Sequence, residues 1–201
     1  MPVEKNNQMS YNLSRLRSRD NAYSRVDMEK VMQLYHGTLS CYAENIINSG
    51  IDVYFSRKNI DFGHGFYLTN KEQTAREWAR RRANYSSDEG VVLIYEISPK
   101  EMNTLCTTDV TSRSRAWKEE IIAHRIYRPQ CSADVIIGEI ADSKMNRLLK
   151  AFHKGIIDED ELFIRIEPLN EKGLQYTFKT SKAIKLLHYV GMKKVVVNGC
   201  Y

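Results

Sequence analysis

No stretch of this sequence approaches the roughly 20 consecutive apolar residues that a membrane-spanning helix requires, so no span is expected. Its opening residues, M-P-V-E-K-N-N-Q-M-S, lack an apolar core segment, which argues against a secretory signal. Cysteine is scarce. Cys41, Cys106, Cys131 and Cys200 are scattered, with no C-x-x-C pair and no histidine at zinc-finger spacing. That pattern argues against a disulfide scaffold or a zinc module and predicts free thiols in a reducing, cytoplasmic setting. A phosphate-binding P-loop, a Ser-His-Asp set and a cluster of metal-ligating residues are also missing. Long internal repeats are absent, and no linker is rich enough in proline, glycine or serine to divide the chain.

What is present suits one compact domain. The 201 residues are 42% hydrophobic and 27% charged, enough apolar material for an ordinary core. Residues 1–30 are polar and arginine-rich (S-R-L-R-S-R-D-N-A-Y-S-R at Ser14–Arg25) and predict an arm ahead of a single domain over 31–201. The formal net charge of +5 is compatible with a polyanionic partner, NAD+ or nucleic acid, without requiring one.

Patterning predicts a mixture of strands and helices. Strands are expected at Leu34–Thr38, Phe66–Leu68, Val91–Ile97, Asp134–Ile140 with Gly138 as a bulge, Leu174–Lys179 and Lys193–Val197. Helices are expected at Tyr42–Ser49 with Gly50 as its stop, and from an Asn70 cap through K-E-Q-T-A-R-E-W-A-R-R-R-A. Others are expected at Ser114–His124, Lys144–Lys154, Asp158–Ile166, and from Thr180 to Tyr189. Strict βαβ alternation is absent, so the class is α+β and not a doubly wound sheet.

Two segments carry chemistry. In L-Y-H-G-T, His36 stands at a strand end beside Gly37, whose peptide groups no Cβ shields. In D-F-G-H-G-F-Y-L-T (Asp61–Thr69), Gly63 and Gly65 permit close approach and Tyr67 offers a ring face. Trp78 on the next helix could supply a second face, or simply be core. A flat cationic ring bearing a carboxamide fits between two aromatic faces, and the nicotinamide of NAD+ is such a ring.

L-Y-H-G-T, then F-G-H-G-F-Y, then Trp78 resembles the nicotinamide-binding core of the diphtheria-toxin and poly(ADP-ribose)-polymerase class of ADP-ribosyltransferases, the H-Y-E class. The chain is still more similar to a bacterial toxin-type family with D-F-G-x-G-F-Y-x-T followed by Q and W-A, matched here by Gln73 and Trp78-Ala79. Further matches are Trp117, Ile121 and Arg125; D-V-I-I-G-E-I-A-D at Asp134–Asp142; and Q-Y-T-F-K-T-S-K-A-I at Gln175–Ile184. The resemblance covers about residues 34–189. It implies an ADP-ribosyltransferase-like fold of split mixed β-sheets with flanking helices, and NAD+ as co-substrate without a metal. It also implies a mono-ADP-ribosyltransferase toxin, held by an antitoxin protein and used in toxin–antitoxin or phage-defence systems. Its acceptor would be RNA, DNA or protein.

By the same resemblance, His36 would hydrogen-bond a ribose hydroxyl on the adenosine side, Gly37 would grip the carboxamide, and Tyr67 and Trp78 would stack on nicotinamide. Thr38, Gly65, Phe66 and Arg57 complete the expected NAD+ contacts. Gln175 stands where the class usually has glutamate. A glutamine can accept a hydrogen bond there but brings no charge and no base, at a cost on the order of 1.5–3 kcal/mol for a lost charge-assisted contact. Single transfer, not chain elongation, is therefore expected, with Glu119, Glu120 or Glu139 as candidate helpers. Arg57 and Asp61 read either as shaping a loop over the NAD+ pocket or as a surface pair. Arg80-Arg81-Arg82 reads as a solvated face or as a contact for nucleic acid or pyrophosphate. Trp117, Arg125 and Asp142 suit packing as well as substrate contact. Two rival functions remain: a catalytically silent NAD+ or ADP-ribose-binding module, and a non-enzymatic nucleic-acid-binding regulator. An RNA 2′-phosphotransferase would need phosphate anchors that the sequence does not display.

Overall fold

The protein is described by a computed structural model covering residues 30–56, 60–111, 115–127, 129, 132–169 and 171–196. The chain separates into two units, Met1–Lys30 and Val31–Tyr201. The expected N-terminal arm therefore lies outside the described residues, as do Arg57, Cys131 and Cys200; Cys41 and Cys106 are free thiols.

The second unit is α+β. Its strands are β1 (Met32–Leu39), β2 (Phe66–Thr69), β3 (Gly90–Ile97), β4 (Thr107–Asp109), β5 (Val135–Glu139), β6 (Leu174–Phe178) and β7 (His188–Val195). They form a seven-stranded sheet in the order β4-β5-β6-β2-β1-β3-β7. Among the described residues only β4 and β5 run parallel; every other pair is antiparallel. Helices α1 (Ser40–Ser49), α2 (Glu72–Ala83), α3 (Pro99–Met102), α4 (Arg115–Ile122), α5 (Met145–His153), α6 (Glu159–Arg165) and α7 (Ser181–Ile184) flank it. Among the described residues no helix is long and apolar enough to cross a membrane.

Alternation along the strands divides the core. Leu34, Phe66, Leu68, Leu93, Tyr176 and Phe178 point to one face, where Ala43 of α1 and Ala183 of α7 cover them. On the other face, Ile136 and Tyr67 pack with Phe62, Trp117 and Leu162, while Val92 and Tyr35 pack with Ala75 and Ala79 of α2. Period-two side-chain direction produces this split.

Helix α2 lies unusually close to the sheet. A Cβ on Gly37 would overlap the Ala75 carbonyl and stand 3.1 Å from Ala79 N; one on Gly90 would come within 2.9 Å of Ala79 O. Small residues on both sides let a helix backbone rest on strand backbone. The missing Cβ of Gly37 thus serves helix packing on its face.

Several boundaries differ from expectation. Lys71, not Asn70, caps α2; Asn70 Oδ1 instead accepts from Leu174 N–H at 2.9 Å. Ser98-Pro99 does more than end β3: Ser98 and Glu101 form a capping box that opens α3. Gly138 sits in a regular ladder without a bulge; it is glycine there because a side chain would strike Phe62, Val110 and Trp117. Helix α7 stops at Ile184, and β7 starts at His188 and runs through Gly191, where the β3–β7 register shifts beside Ile94 and Tyr95. Lys193 and Lys194 lie on this edge strand, as expected for an edge protected from further pairing.

The α2 contact gives a stability test. Gly37→Ala should lower stability by about 2–3 kcal/mol through overpacking. Gly191→Ala, whose Cβ would meet nothing within 4 Å, should stay within about 0.5 kcal/mol of the parent in urea denaturation.

Candidate functional site

The sheet has a weak seam between β1 and β2, which register through the single pair Tyr35–Thr69. Ser40 N–H donates to Glu89 O at 2.9 Å, and the β1–β3 register is continuous from Met32–Ile97 to Leu39–Gly90. Antiparallel alternation then directs the peptide groups of even-numbered β1 residues at β3 and those of Tyr35 and Gly37 toward β2. Gly37 would next oppose Tyr67, but that pair is not in the ladder. Instead the Tyr67 carbonyl is taken by His36 Nδ1 at 2.7 Å. A side chain has replaced a ladder bond, and the strands part in a wedge with the Gly37 peptide along one wall.

His36 is half-buried and stacks on Phe66, centroids 4.5 Å apart and planes 30° from parallel. Phe66 meets Tyr95 edge-on at 5.5 Å, so the imidazole stands on an aromatic floor. Burial lowers the His36 pKa to about 4; the bond to Tyr67 O opposes this, and the positive charge of Arg82 adds to it. The ring is neutral at pH 7. Since a carbonyl only accepts, Nδ1 carries the hydrogen and Nε2 is left as an acceptor.

Trp78 is 43% exposed, with the Arg81 guanidinium 4.9 Å over its ring. Its flank of α2 follows from its neighbours. Glu72 bonds Lys193 of β7, whereas Thr74 Oγ1 donates to Lys172 O just before β6. Trp78 lies one turn beyond Thr74, so it belongs to the flank facing β2 and β6, and Arg82 follows one turn later. The His36 ring, the Gly37 peptide and the Tyr67 carbonyl thus border the gap between β1 and β2; the Tyr67 ring packs on the opposite face of the sheet from the His36 ring, and Trp78 stands on α2 with no ring contact to either. Thr38 (1% exposed) and Phe66 (6%) are core.

The loop Asp61–Gly65 is held from every side. The Tyr67 hydroxyl donates to Gly63 O at 2.6 Å and accepts from Phe62 N–H at 3.1 Å. Burial, then the Asp61 carboxylate, push this phenol far above its usual range, so it remains a donor. Lys179 Nζ bonds both Phe62 O and His64 O, and Gly65 N–H donates to Ser56 Oγ at 3.1 Å. Gly63 has φ +69°, a left-handed conformation that favours glycine. The open side of Gly65 is filled by Thr177 and the Phe178 carbonyl of β6, not left for a ligand.

Gln175 is buried at the middle of the sheet, beside Thr69 and Gly138. Its Nε2 donates to Asp61 Oδ2 at 2.9 Å and to Glu139 O at 3.0 Å. Asp61 is no surface group. It is 6% exposed, accepts from Ala141 N–H at 3.1 Å, and pairs with Arg125 through Nη2 at 2.5 Å and Nε at 3.1 Å. Arg125 reaches it from a π-helical turn, Ala123–Tyr127, that continues α4. The sequence pattern leaves Arg125 undecided, and no local signal points to Lys179. Of the other undecided residues, Trp117 is buried with Nε1 donating to Glu139 O at 2.9 Å, and Asp142 accepts from Lys144 N–H at 3.0 Å. Glu119 pairs with Arg115, and Glu120 with His124.

A model of the family described as "Protein of unknown function (DUF3990)" matches residues 32–189, which span both walls of the wedge, the loop and the Gln175 strand. No curated protein matches the chain.

The His36 environment sets a pH window. A depressed folded-state pKa means that the unfolded chain binds the proton first, so the contribution of His36 is complete above pH 6.5 and declines as pH falls toward 4. His36→Gln should flatten this part of the stability–pH curve in urea titrations. Parallel curves for the two proteins would contradict the assigned neutral state.

Proposed function

The chain belongs to the DUF3990 family, and we propose that it is a mono-ADP-ribosyltransferase that consumes NAD+ and modifies a macromolecular acceptor. One observation carries the reading: β1 leaves β2 at Gly37, so a peptide group is turned into a gap beside a neutral imidazole. A carboxamide needs one donor and one acceptor, and a strand peptide outside its ladder offers both. The His36 Nε2 acceptor suits a ribose hydroxyl, and the exposed Trp78 ring offers aromatic surface to a flat cation.

NAD+ supplies a glycosidic bond whose leaving group is already cationic, so nicotinamide departs neutral without being protonated. The bond to the acceptor forms at the same ribose carbon, and the acceptor's proton is released. The residues have only to hold the dinucleotide, exclude water and favour positive charge on the ribose. The Asp61–Gly65 loop suits that task because four separate groups keep it still. Gln175 in place of a carboxylate favours a single transfer. The arginines on α2, Arg80 to Arg82, favour a polyanionic acceptor such as RNA or DNA over a protein. A toxin restrained by an antitoxin is the matching biological role.

A silent NAD+ or ADP-ribose-binding module is the second reading. It draws on the Gln175 amide, whose two hydrogens are both committed to internal partners.

Labelled NAD+ incubated with separate protein, RNA and DNA fractions distinguishes these readings. The wild type should release nicotinamide and label one fraction, whereas His36→Ala and Trp78→Ala, each folded, should lose at least about tenfold, equivalent to about 1.4 kcal/mol of barrier. Binding of NAD+ without release on any fraction would favour the silent module. Absence of binding would dismiss both.

A further inference from the structure

We propose that Asp61, held by Arg125, dictates the residue at position 175: the pocket carries its negative charge on the loop, at Asp61, and admits an amide but not a carboxylate on β6. The claim extends the NAD+ reading only where it concerns binding; the side-chain logic stands independently of it.

Both acceptors around Gln175 Nε2 are groups that cannot donate. Asp61 Oδ2 lies at 2.9 Å and the Glu139 carbonyl at 3.0 Å. The orientation of the amide is therefore determined by its partners, with nitrogen inward and Oε1 left as the acceptor. A glutamate at 175 would set a carboxylate oxygen against a carboxylate and a carbonyl with no hydrogen between them, at a site 6% exposed. Asp61 cannot turn aside to relieve this. Its Oδ1 takes Arg125 Nη2 at 2.5 Å and Nε at 3.1 Å, and its Oδ2 also takes Ala141 N–H at 3.1 Å.

The titratable groups in and around this loop are His64 within it, Arg125 and His124 on the π-helical turn, Tyr67 on β2, Glu139 on β5 and Lys179 after β6. Arg125 is the cation bonded to the Asp61 carboxylate, and Lys179 is committed to the carbonyls of Phe62 and His64.

The arrangement also has a chemical use. A carboxylate bonded to an amide N–H polarises the amide and makes its oxygen a better acceptor. Asp61 is then a positioning residue that acts through Gln175, and Oε1 is the atom offered to a ribose hydroxyl.

The test is a pH series of urea midpoints for wild type, Gln175→Glu and the exchange Asp61→Asn with Gln175→Glu. In the single variant the introduced carboxyl is held protonated, so its folded pKa rises. Its stabilising form is present below the free value of about 4.3 and is lost as pH rises through the raised value. The Gln175→Glu midpoint should approach that of the wild type at about pH 4.5 and fall about 1 M below it by about pH 8. The exchange variant, which keeps one carboxylate and one amide in contact, should recover at least half of that loss. If Gln175→Glu fails to fold at any pH, recovery of folding by the exchange still supports the claim. Parallel wild-type and Gln175→Glu curves, or an exchange variant no better than the single one, would overturn it. Calorimetry with NAD+ at about pH 7.5 adds the binding arm: Gln175→Glu should bind about tenfold more weakly, a loss of about 1.4 kcal/mol, and the exchange should recover. A wild type that binds no NAD+ would defeat the functional reading, and the midpoints alone would then decide the role of Asp61.

Discussion

One hydrogen bond, from the imidazole of His36 to the carbonyl of Tyr67, ends the β1–β2 ladder after a single residue pair. Sheets rarely surrender backbone pairing in their interior, because buried peptide groups left without partners are costly. Here the Tyr67 carbonyl is satisfied by a side chain, and the Gly37 peptide faces a gap. The imidazole can do this only while neutral and in one tautomer. Burial on the Phe66 ring and the nearby charge of Arg82 both favour the neutral form.

The wedge keeps its shape because its two walls are braced independently. Behind β1, α2 presses backbone to backbone at Gly37 and Gly90, so that wall cannot shift without moving a helix. Behind β2, the Asp61–Gly65 loop is tied to β6 through Gln175, to the π-helical turn through Arg125, and to its own strand through Tyr67. A π-helical turn changes which residues face inward relative to a regular helix. It lets the neighbours His124 and Arg125 both approach this loop, His124 against Gly63 and Arg125 on Asp61. Such over-determination is what a site needs if it works by positioning.

Local pattern makes much of this legible. Gly90–Ile97 is a β-branched run, Met145–His153 repeats apolar residues at helical spacing, and Asp158 caps its helix as a short acid should. The glycines of D-F-G-H-G-F-Y mark a turn or a close backbone approach on their residues alone. Tertiary contacts hide the rest. His188 and Tyr189 follow a helix and read as its continuation, yet pairing with β3 places them on an edge strand. Asn70 has the chemistry of a cap but is used by Leu174 across the sheet. Asp61 and Arg125 are 64 residues apart, and nothing in either segment announces their meeting. Gly37 is legible as a special position, but the helix on its back is not.

The location of the negative charge follows from topology. Residue 175 lies on β6, flanked in the sheet by Gly138 of β5 and Thr69 of β2. None of these neighbours is a cation, and a buried carboxylate without one is strongly disfavoured. The loop before β2 is different, because it crosses the end of β5 where Arg125 comes down from the π-helical turn and Ala141 presents a peptide hydrogen. A carboxylate is tolerated there and not one strand over. An amide on β6 bonded to that carboxylate brings the influence of the charge inward without placing a charge in the sheet. On this account Gln175 is not a degraded glutamate. It is the residue that suits a pocket whose anion sits on the loop.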